Sequence, residues 1–355
     1  MKRQYNKVYV GLSGGVDSSV SAALLQKAGY DVTGVFIKIW SPEWTECTSR
    51  EDRLDAMRVC AHLGLPFREI DLTHEYKSKV VDYMISEYAK GRTPNPDVMC
   101  NRSIKFGMFF DWAMKNGADY VATGHYARIE KKDGVCHLFV AKDASKDQSY
   151  FLWTLTQNRL SRTLFPVGNL DKTKVRVLAK KLKLPTALKK DSQGLCFVGH
   201  IDIKEFLSRY VHEKRGDVLN KKGEVIGYHR GSHLLTIGER HGFTVTEKTP
   251  SDAPLYIAQK DTERNTITVT RERGLVQASN RSVNLSEVSW ISKKPEGGRT
   301  YEAQIRYHGK RYKCRVQDNT VKFLNKPGAL ALGQSFVLYD KKICLGGGII
   351  DSYGV

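Results

Sequence analysis

No stretch of the 355-residue chain stays apolar over the ~18 residues that a membrane-spanning helix needs. The first residues, Met1-Lys2-Arg3-Gln4-Tyr5-Asn6-Lys7, lack a secretory apolar core and lack an amphipathic transit helix, so the expected compartment is the cytoplasm. Cysteine is sparse, with 7 widely spaced residues, an odd number that argues against a disulfide framework. No Cys-x-x-Cys or Cys-x-x-His pair occurs, which speaks against a zinc site. A Gly-Lys-Ser/Thr phosphate loop is missing, and so is a Gly-x-Gly-x-x-Gly dinucleotide fingerprint. There is no internal repeat. Acidic residues are too few to balance the basic ones, and the formal charge is +19. A charge of that size suits a polyanionic partner such as nucleic acid. Phe151–His200 is the most one-sided stretch, with 10 basic and 2 acidic residues.

What is present begins with alternating periods. Lys7–Leu12, Val32–Trp40, Phe67–Leu72 and Tyr120–Thr123 read as strands, while Ser18–Ala28, Glu51–Leu63, Glu75–Lys90 and Lys105–Asn116 read as helices. Repeated βα units predict a parallel sheet with ligands at the carboxyl ends of its strands. A hairpin is expected at Asp133-Gly134, followed by helical segments at Ser149–Thr156 and, rich in basic residues, Lys172–Leu182. Beyond about residue 205 the pattern turns β-rich. From Val283 the short strands and polar turns are regular enough to predict a small closed barrel. The expected division is a catalytic α/β domain over 1–200, a β-rich middle domain over 201–280 and a C-terminal β-barrel over 281–355.

Ser13-Gly14-Gly15-Val16-Asp17-Ser18 lies between a strand and a helix. Gly14 and Gly15 let backbone amides approach an anion, and the helix N-terminus faces the same point. Asp17 inside such a cradle suits Mg²⁺ bridging to phosphates. The loop resembles that of the PP-loop ATP pyrophosphatases, which implies cleavage of ATP between the α- and β-phosphates and transfer of AMP to a carbonyl oxygen.

Two cysteines stand in polar surroundings. Cys100 lies in the segment Gly91–Asn101, whose two prolines and two asparagines predict a rigid loop rather than a helix. With a helix to follow and Arg102 and Lys105 nearby, its thiol is expected to be nucleophilic. Cys196 lies in Asp191–Gly199, behind Lys189-Lys190. Each could also be a buried filler. Cys60, Cys136, Cys314 and Cys344 sit among apolar neighbours and read as structural, and Cys47 has no assignment. Asp97 is suited to general acid–base work or to accepting a hydrogen bond in an Asx turn.

Taken together, Gly11–Ser19, Gly91–Asn101, Ala122–Tyr126, Lys146–Leu152, Leu164–Gly168, Asp191–Gly199 and Cys344–Ile350 make the chain similar to the bacterial tRNA-specific 2-thiouridylase family from about residue 7 to about residue 351. That family replaces the carbon-2 oxygen of a wobble uridine with sulfur. The resemblance implies an adenine nucleotide alpha hydrolase-like, Rossmann-like first domain. It implies ATP binding by Gly11, Leu12, Ser13, Gly14, Gly15, Val16, Asp17 and Ser18, with Ile37 and Gly124 around the adenosine. Asn95, Pro96 and Asp97 would meet the target base. His125, Lys146, Asp147, Gln148, Arg306, Tyr307 and Gln334 would contact tRNA. Cys196 would carry a persulfide delivered by a sulfur-donor protein, and Cys100 would be the second catalytic cysteine. Other PP-loop activities, amide-forming or tRNA-modifying, share the loop without needing the cysteines. An iron–sulfur cluster held by Asp97, Cys100 and Cys196 is the other alternative.

Overall fold

The computed structural model describes residues 6–44, 49–190, 203–246, 253–271 and 281–354. Strands β1 (Lys7–Gly11), β2 (Asp31–Lys38), β3 (Phe67–Asp71), β4 (Tyr120–Ala122) and β7 (Thr163–Leu164) form a parallel sheet in the order β3-β2-β1-β4-β7. The alternation along β1 shows why both faces need helices. Val8 and Val10 enter one core with Ala22, Leu25, Ala56 and Val59, from α1 (Val16–Lys27) and α2 (Ser49–Leu63). Tyr9 enters another core with Tyr76, Val80, Met84 and Phe109 on the opposite face. Chain direction switches sides between β1 and β4, which opens a crevice at their carboxyl ends.

A hairpin of β5 (Ala127–Lys132) and β6 (Val135–Val140) turns at Asp133 and Gly134, both with positive φ (50° and 78°), as a two-residue turn matched to strand twist requires. Strands β8 (Gly216–Leu219), β9 (Val225–His229), β10 (Phe243–Val245), β11 (Tyr256–Asp261) and β12 (Thr266–Thr270) make a second sheet in the order β10-β9-β8-β12-β11. The last six strands are β13 (Ser282–Trp290), β14 (Tyr301–Gln304), β15 (Arg311–Gln317), β16 (Thr320–Phe323), β17 (Ser335–Asp340) and β18 (Ile343–Tyr353). They close into a barrel in the order β13-β16-β15-β14-β17-β18 through the pairing of β13 with β18. Closure removes the exposed edges that an open sheet would present.

The first region and the barrel are fastened together. β6 pairs with β18, Ile343 opposite Phe139 and Cys344 opposite Leu138, so the hairpin extends the barrel sheet. Trp153 Nε1 donates to Ser335 Oγ at 3.1 Å, and Tyr150 donates its hydroxyl proton to the Ser335 carbonyl at 2.9 Å. Val98, Phe106 and Leu152 share one apolar cluster with Val337, Tyr339 and Ile349. Thr93 ties all three regions: its amide donates to the Leu332 carbonyl at 2.8 Å, and its hydroxyl lies 3.2 Å from that of Thr236.

Two segments depart from the sequence expectation: the helix expected over 149–156 is a short 3-10 turn at Ser149–Leu152, and the loop expected at 91–101 is helical from Pro96. Residues 96–101 are helical, and the helix runs from Pro96 to Lys115 with a wider, π-type winding over Cys100–Met108. The prolines and asparagine act as start signals: Pro96 occupies the first turn, where no amide is needed, and Asn95 Oδ1 accepts from Val98 N at 3.2 Å. The Asx-type acceptor of this segment is therefore Asn95.

Candidate active site

The glycine-rich cradle is built where β1 meets α1. Gly14 has φ +71°, and a Cβ there would lie 2.5 Å from the Asp52 carbonyl, so only glycine fits. Helix α1 opens at Val16 behind Gly15, with no side-chain cap on its first amides. Those amides and the positive helix end remain directed at the crevice. Ser13 is exposed beside them. Ser18 and Ser19 are turned inward, and both donate to the Gly15 carbonyl, at 3.2 and 2.7 Å. Gly124 is pressed on the first turn, since a Cβ there would come within 2.7 Å of Ser18 N. Ile37 lies half-buried at the end of β2, near Gly11 and Phe109.

Asp17 is the most heavily engaged group in the cradle. Lys172 Nζ donates to its two oxygens at 2.7 and 2.8 Å, and the Tyr126 hydroxyl donates to Oδ1 at 2.8 Å. Lys172 opens the helix Lys172–Lys181, far along the chain, and its side chain is only 14% exposed. Sequence reasoning saw Lys172 only as one of many basic residues in 151–200. The signal that could have singled it out was the lysine missing from the loop itself: a phosphate site without a local cation needs one from elsewhere.

A second constellation lies on the barrel side. A cavity of about 320 Å³ is lined by Asp147, Tyr150, Gln304, Tyr307, His308 and Arg311. Tyr307 is 36% exposed and packs on Phe151, with ring centres 4.3 Å apart. The Asn95 side chain lies close enough to the Tyr150 phenol to act on it. Asp97 and Asp147 both act on the Tyr307 phenol, which burial pushes above its ordinary range. Tyr307 is therefore within electrostatic reach of Asp97 and Asp147, and its ring centre lies 6.2 Å from that of Tyr150. Gln148 joins them through its loop, and Arg306 bridges regions by donating to the Ile237 carbonyl. Gln334 follows Gly333, whose α-carbon is packed on Thr93.

Several expected contacts are internal. His125 is buried between Phe106 and Phe165, hydrogen-bonded to Thr123 Oγ1 at 2.7 Å, and its burial holds it neutral, far below the usual histidine range. Asp147 accepts from Ala141 N and from Ser149 Oγ, both at 2.8 Å. Cys100 is 3% exposed on the π-wound helix beside Ile104 and Phe109, not in a polar loop. Arg102 points outward and pairs with Glu287. Lys105 acts electrostatically on Asp97 and His125. Cys47 and Cys196 lie outside the described residues. Cys60, Cys136, Cys314 and Cys344 are buried free thiols, as expected of structural cysteines.

Burial raises the Asp97 carboxyl above the usual carboxylate range, and Lys105 only partly opposes this. Its protonated form therefore favours the fold at low pH, and that contribution is lost as pH rises from the unfolded-state value of roughly 3.9 through the raised folded value. Asp97→Asn removes the loss. The stability of the variant relative to the parent should be greater at pH 7 than at pH 3; an unchanged difference in urea midpoint between the two pH values refutes this.

The comparisons with known proteins agree with this architecture. A family described as the tRNA methyl transferase HUP domain matches residues 6–200. The tRNA methyl transferase PRC-barrel domain matches 204–271, and the aminomethyltransferase beta-barrel domain matches 280–350. The tRNA-specific 2-thiouridylase MnmA of Nitrosomonas europaea is 41% identical over 354 residues, covering 97% of this chain and 98% of that protein. The MnmA of Thiobacillus denitrificans is 44% identical over 354 residues, covering 97% and 99%. This chain belongs to the MnmA family. Membership goes with a PP-loop ATP-binding domain over the first region. Among the described residues, no helix is long and apolar enough to cross a membrane.

Proposed function

We propose that this protein is a tRNA-uridine 2-sulfurtransferase that adenylates the wobble uridine and then exchanges the activated oxygen for sulfur. The observation that carries the reading is the cradle at the start of α1, with Asp17 inside it and no local lysine, in a chain similar to MnmA proteins along nearly its whole length. Gly11–Ser18, Ile37 and Gly124 hold ATP. Asp17, once released by Lys172 and Tyr126, would offer the oxygen donor that magnesium prefers, and magnesium held there with the nucleotide would neutralise phosphate charge.

The uridine carbon-2 oxygen attacks the α-phosphate and pyrophosphate leaves. The terminal sulfur of a Cys196 persulfide then bonds carbon-2, and AMP departs with the oxygen. Cys100 attacks the Cys196 sulfur and frees the thiolated base; the Cys100–Cys196 disulfide left behind is reopened by an external dithiol. Asp97, kept protonated to higher pH by burial, serves as general acid–base near the base.

Asn95, Lys146, Arg306, Tyr307 and Gln334 face the RNA, with the buried Pro96 fixing the helix start behind Asn95. His125, Asp147 and Gln148 shape that side through their internal hydrogen bonds. The basic surface engages phosphates without reading sequence. Residues 1–200, 201–280 and 281–355 act as catalytic, middle and RNA-contacting units, in the cytoplasm, with a cysteine desulfurase or relay protein supplying sulfur. Among the described residues no three His, Cys, Asp or Glu side chains stand together as metal ligands; Cys196, one ligand of the iron–sulfur alternative, lies outside them.

The deciding experiment incubates the protein with ATP, magnesium, a persulfide donor and a tRNA bearing a wobble uridine. Digestion and mass spectrometry should find 2-thiouridine, with AMP and pyrophosphate formed alongside it. ATP cleavage that modifies the RNA without adding sulfur would assign another adenylating activity.

A further inference from the structure

Residues 141–148 lie between the two constellations, and two separate routes lead from them to the same carboxylate. In the first, Gln148 and Tyr126 exchange backbone-directed bonds: Tyr126 N donates to Gln148 Oε1 at 2.9 Å, and Gln148 N donates to the Tyr126 carbonyl at 2.8 Å. The Tyr126 hydroxyl then donates to Asp17 Oδ1 at 2.8 Å. In the second, Lys172 N donates to Asp143 Oδ2 at 3.0 Å, and Lys172 Nζ holds both Asp17 oxygens. Asp143 itself shapes the loop, taking the Ser145 amide at 3.0 Å, while its carbonyl takes Lys146 N at 3.1 Å.

These links are shielded. Tyr126 is 3% exposed, in a core with Val16, Val167 and Val175, so its ring cannot swing away without opening the packing. The Lys172 ammonium lies 5.7 Å from the Tyr126 ring centre, so the two donors also restrain each other. Asp17 keeps 31% of its side chain exposed toward the crevice. An incoming metal–nucleotide must therefore compete with Lys172 and Tyr126 for Asp17.

We propose that Tyr126 and Lys172 are positioning residues that hold Asp17 back in the free protein, and that RNA contact at 143–148 relaxes this hold, so that RNA and magnesium–ATP bind with positive cooperativity. The inference rests on the reading above that the cradle takes ATP and that Lys146–Gln148 lies on the RNA side. Its physical content is a chain of hydrogen bonds that is closed on Asp17 in this structure and would have to open for the nucleotide. Because coupling of binding is reciprocal, ATP must tighten RNA by the same factor.

The test measures binding of the magnesium complex of α,β-methylene-ATP by calorimetry, with and without a saturating tRNA transcript carrying a wobble uridine. The parent protein should bind the analogue tighter with RNA, by a factor of roughly 5 to 150. Tyr126→Phe keeps the buried ring and removes only the hydroxyl. It should raise affinity for the analogue in the absence of RNA and shrink the ratio, leaving the RNA-bound affinity within about twofold of the parent. Asp143→Asn, on the half-exposed loop, should move both quantities in the same direction and carries the test if Tyr126→Phe fails to fold. Equal binding of the analogue with and without RNA, or a Tyr126→Phe ratio equal to that of the parent, overturns the inference while leaving the sulfurtransferase reading intact. Failure to bind the tRNA at all removes the reading together with the inference.

Discussion

Cys100→Ser and Cys196→Ser should each abolish 2-thiouridine formation, by about three orders of magnitude or more, while binding of ATP survives. Serine has nearly the shape of cysteine, but a hydroxyl can neither carry sulfane sulfur nor form the disulfide that releases the product. The two variants should fail at different points. Cys196→Ser accepts no labelled sulfur from a persulfide donor. Cys100→Ser still becomes labelled and cannot finish the exchange. The interior position of Cys100 makes a stability control necessary, because a hydroxyl placed beside Ile104 and Phe109 costs about 1–3 kcal/mol unless it finds a partner. A cooperative melt with inactive enzyme assigns the loss to chemistry. Full activity in either variant refutes the persulfide scheme, and sulfur labelling of Cys196→Ser moves the acceptor to another thiol.

What the sequence reveals follows the range of the forces involved. The cradle is legible because β1, two glycines and the start of α1 are contiguous, and the steric demand at Gly14 is met by its neighbours in space and by its own φ. The hairpin is legible for the same reason: Asp133-Gly134 alone fixes its turn. The barrel shows itself through regular turns, although its pairing with β6 joins residues some two hundred positions apart and leaves no local trace.

Where polar residues serve internal bonds, pattern reading misleads. His125 belongs to a conspicuous polar motif, yet it is buried against two phenylalanines. Pro96 and Asn95 suggest a loop, although the same two residues are what start the helix carrying Cys100. The turn chemistry and the capping chemistry use the same side chains. Only the apolar residues that follow, Val98, Ile104 and Phe109 packed inside, decide between them.

Lys172 is the residue that the sequence hid most completely, and replacing it should have the second large effect. Its bond to Asp17 spans 155 positions, beyond any local motif. Yet the absence of a loop lysine requires a cation from another element, and Lys172 brings one to the cradle from the N-terminus of its own helix, whose dipole adds to the positive field. When the α–β bond of ATP breaks, charge builds on pyrophosphate, and a fixed ammonium in a partly dry site stabilises that state more than the ground state. Lys172→Met should therefore lower kcat/KM for ATP by roughly 10²- to 10³-fold, measured as pyrophosphate release in the presence of tRNA. Affinity for the non-cleavable analogue should change far less, because removing Lys172 also frees Asp17 to meet magnesium. Lys172→Arg should recover part of the rate by restoring charge at altered geometry. A merely structural lysine would give the opposite pattern, with analogue binding and melting temperature falling together and turnover per folded molecule preserved. Pyrophosphate release by Lys172→Met within about threefold of the parent would show that the backbone amides and magnesium suffice for the leaving group, and that the ion pair with Asp17 only shapes the loop.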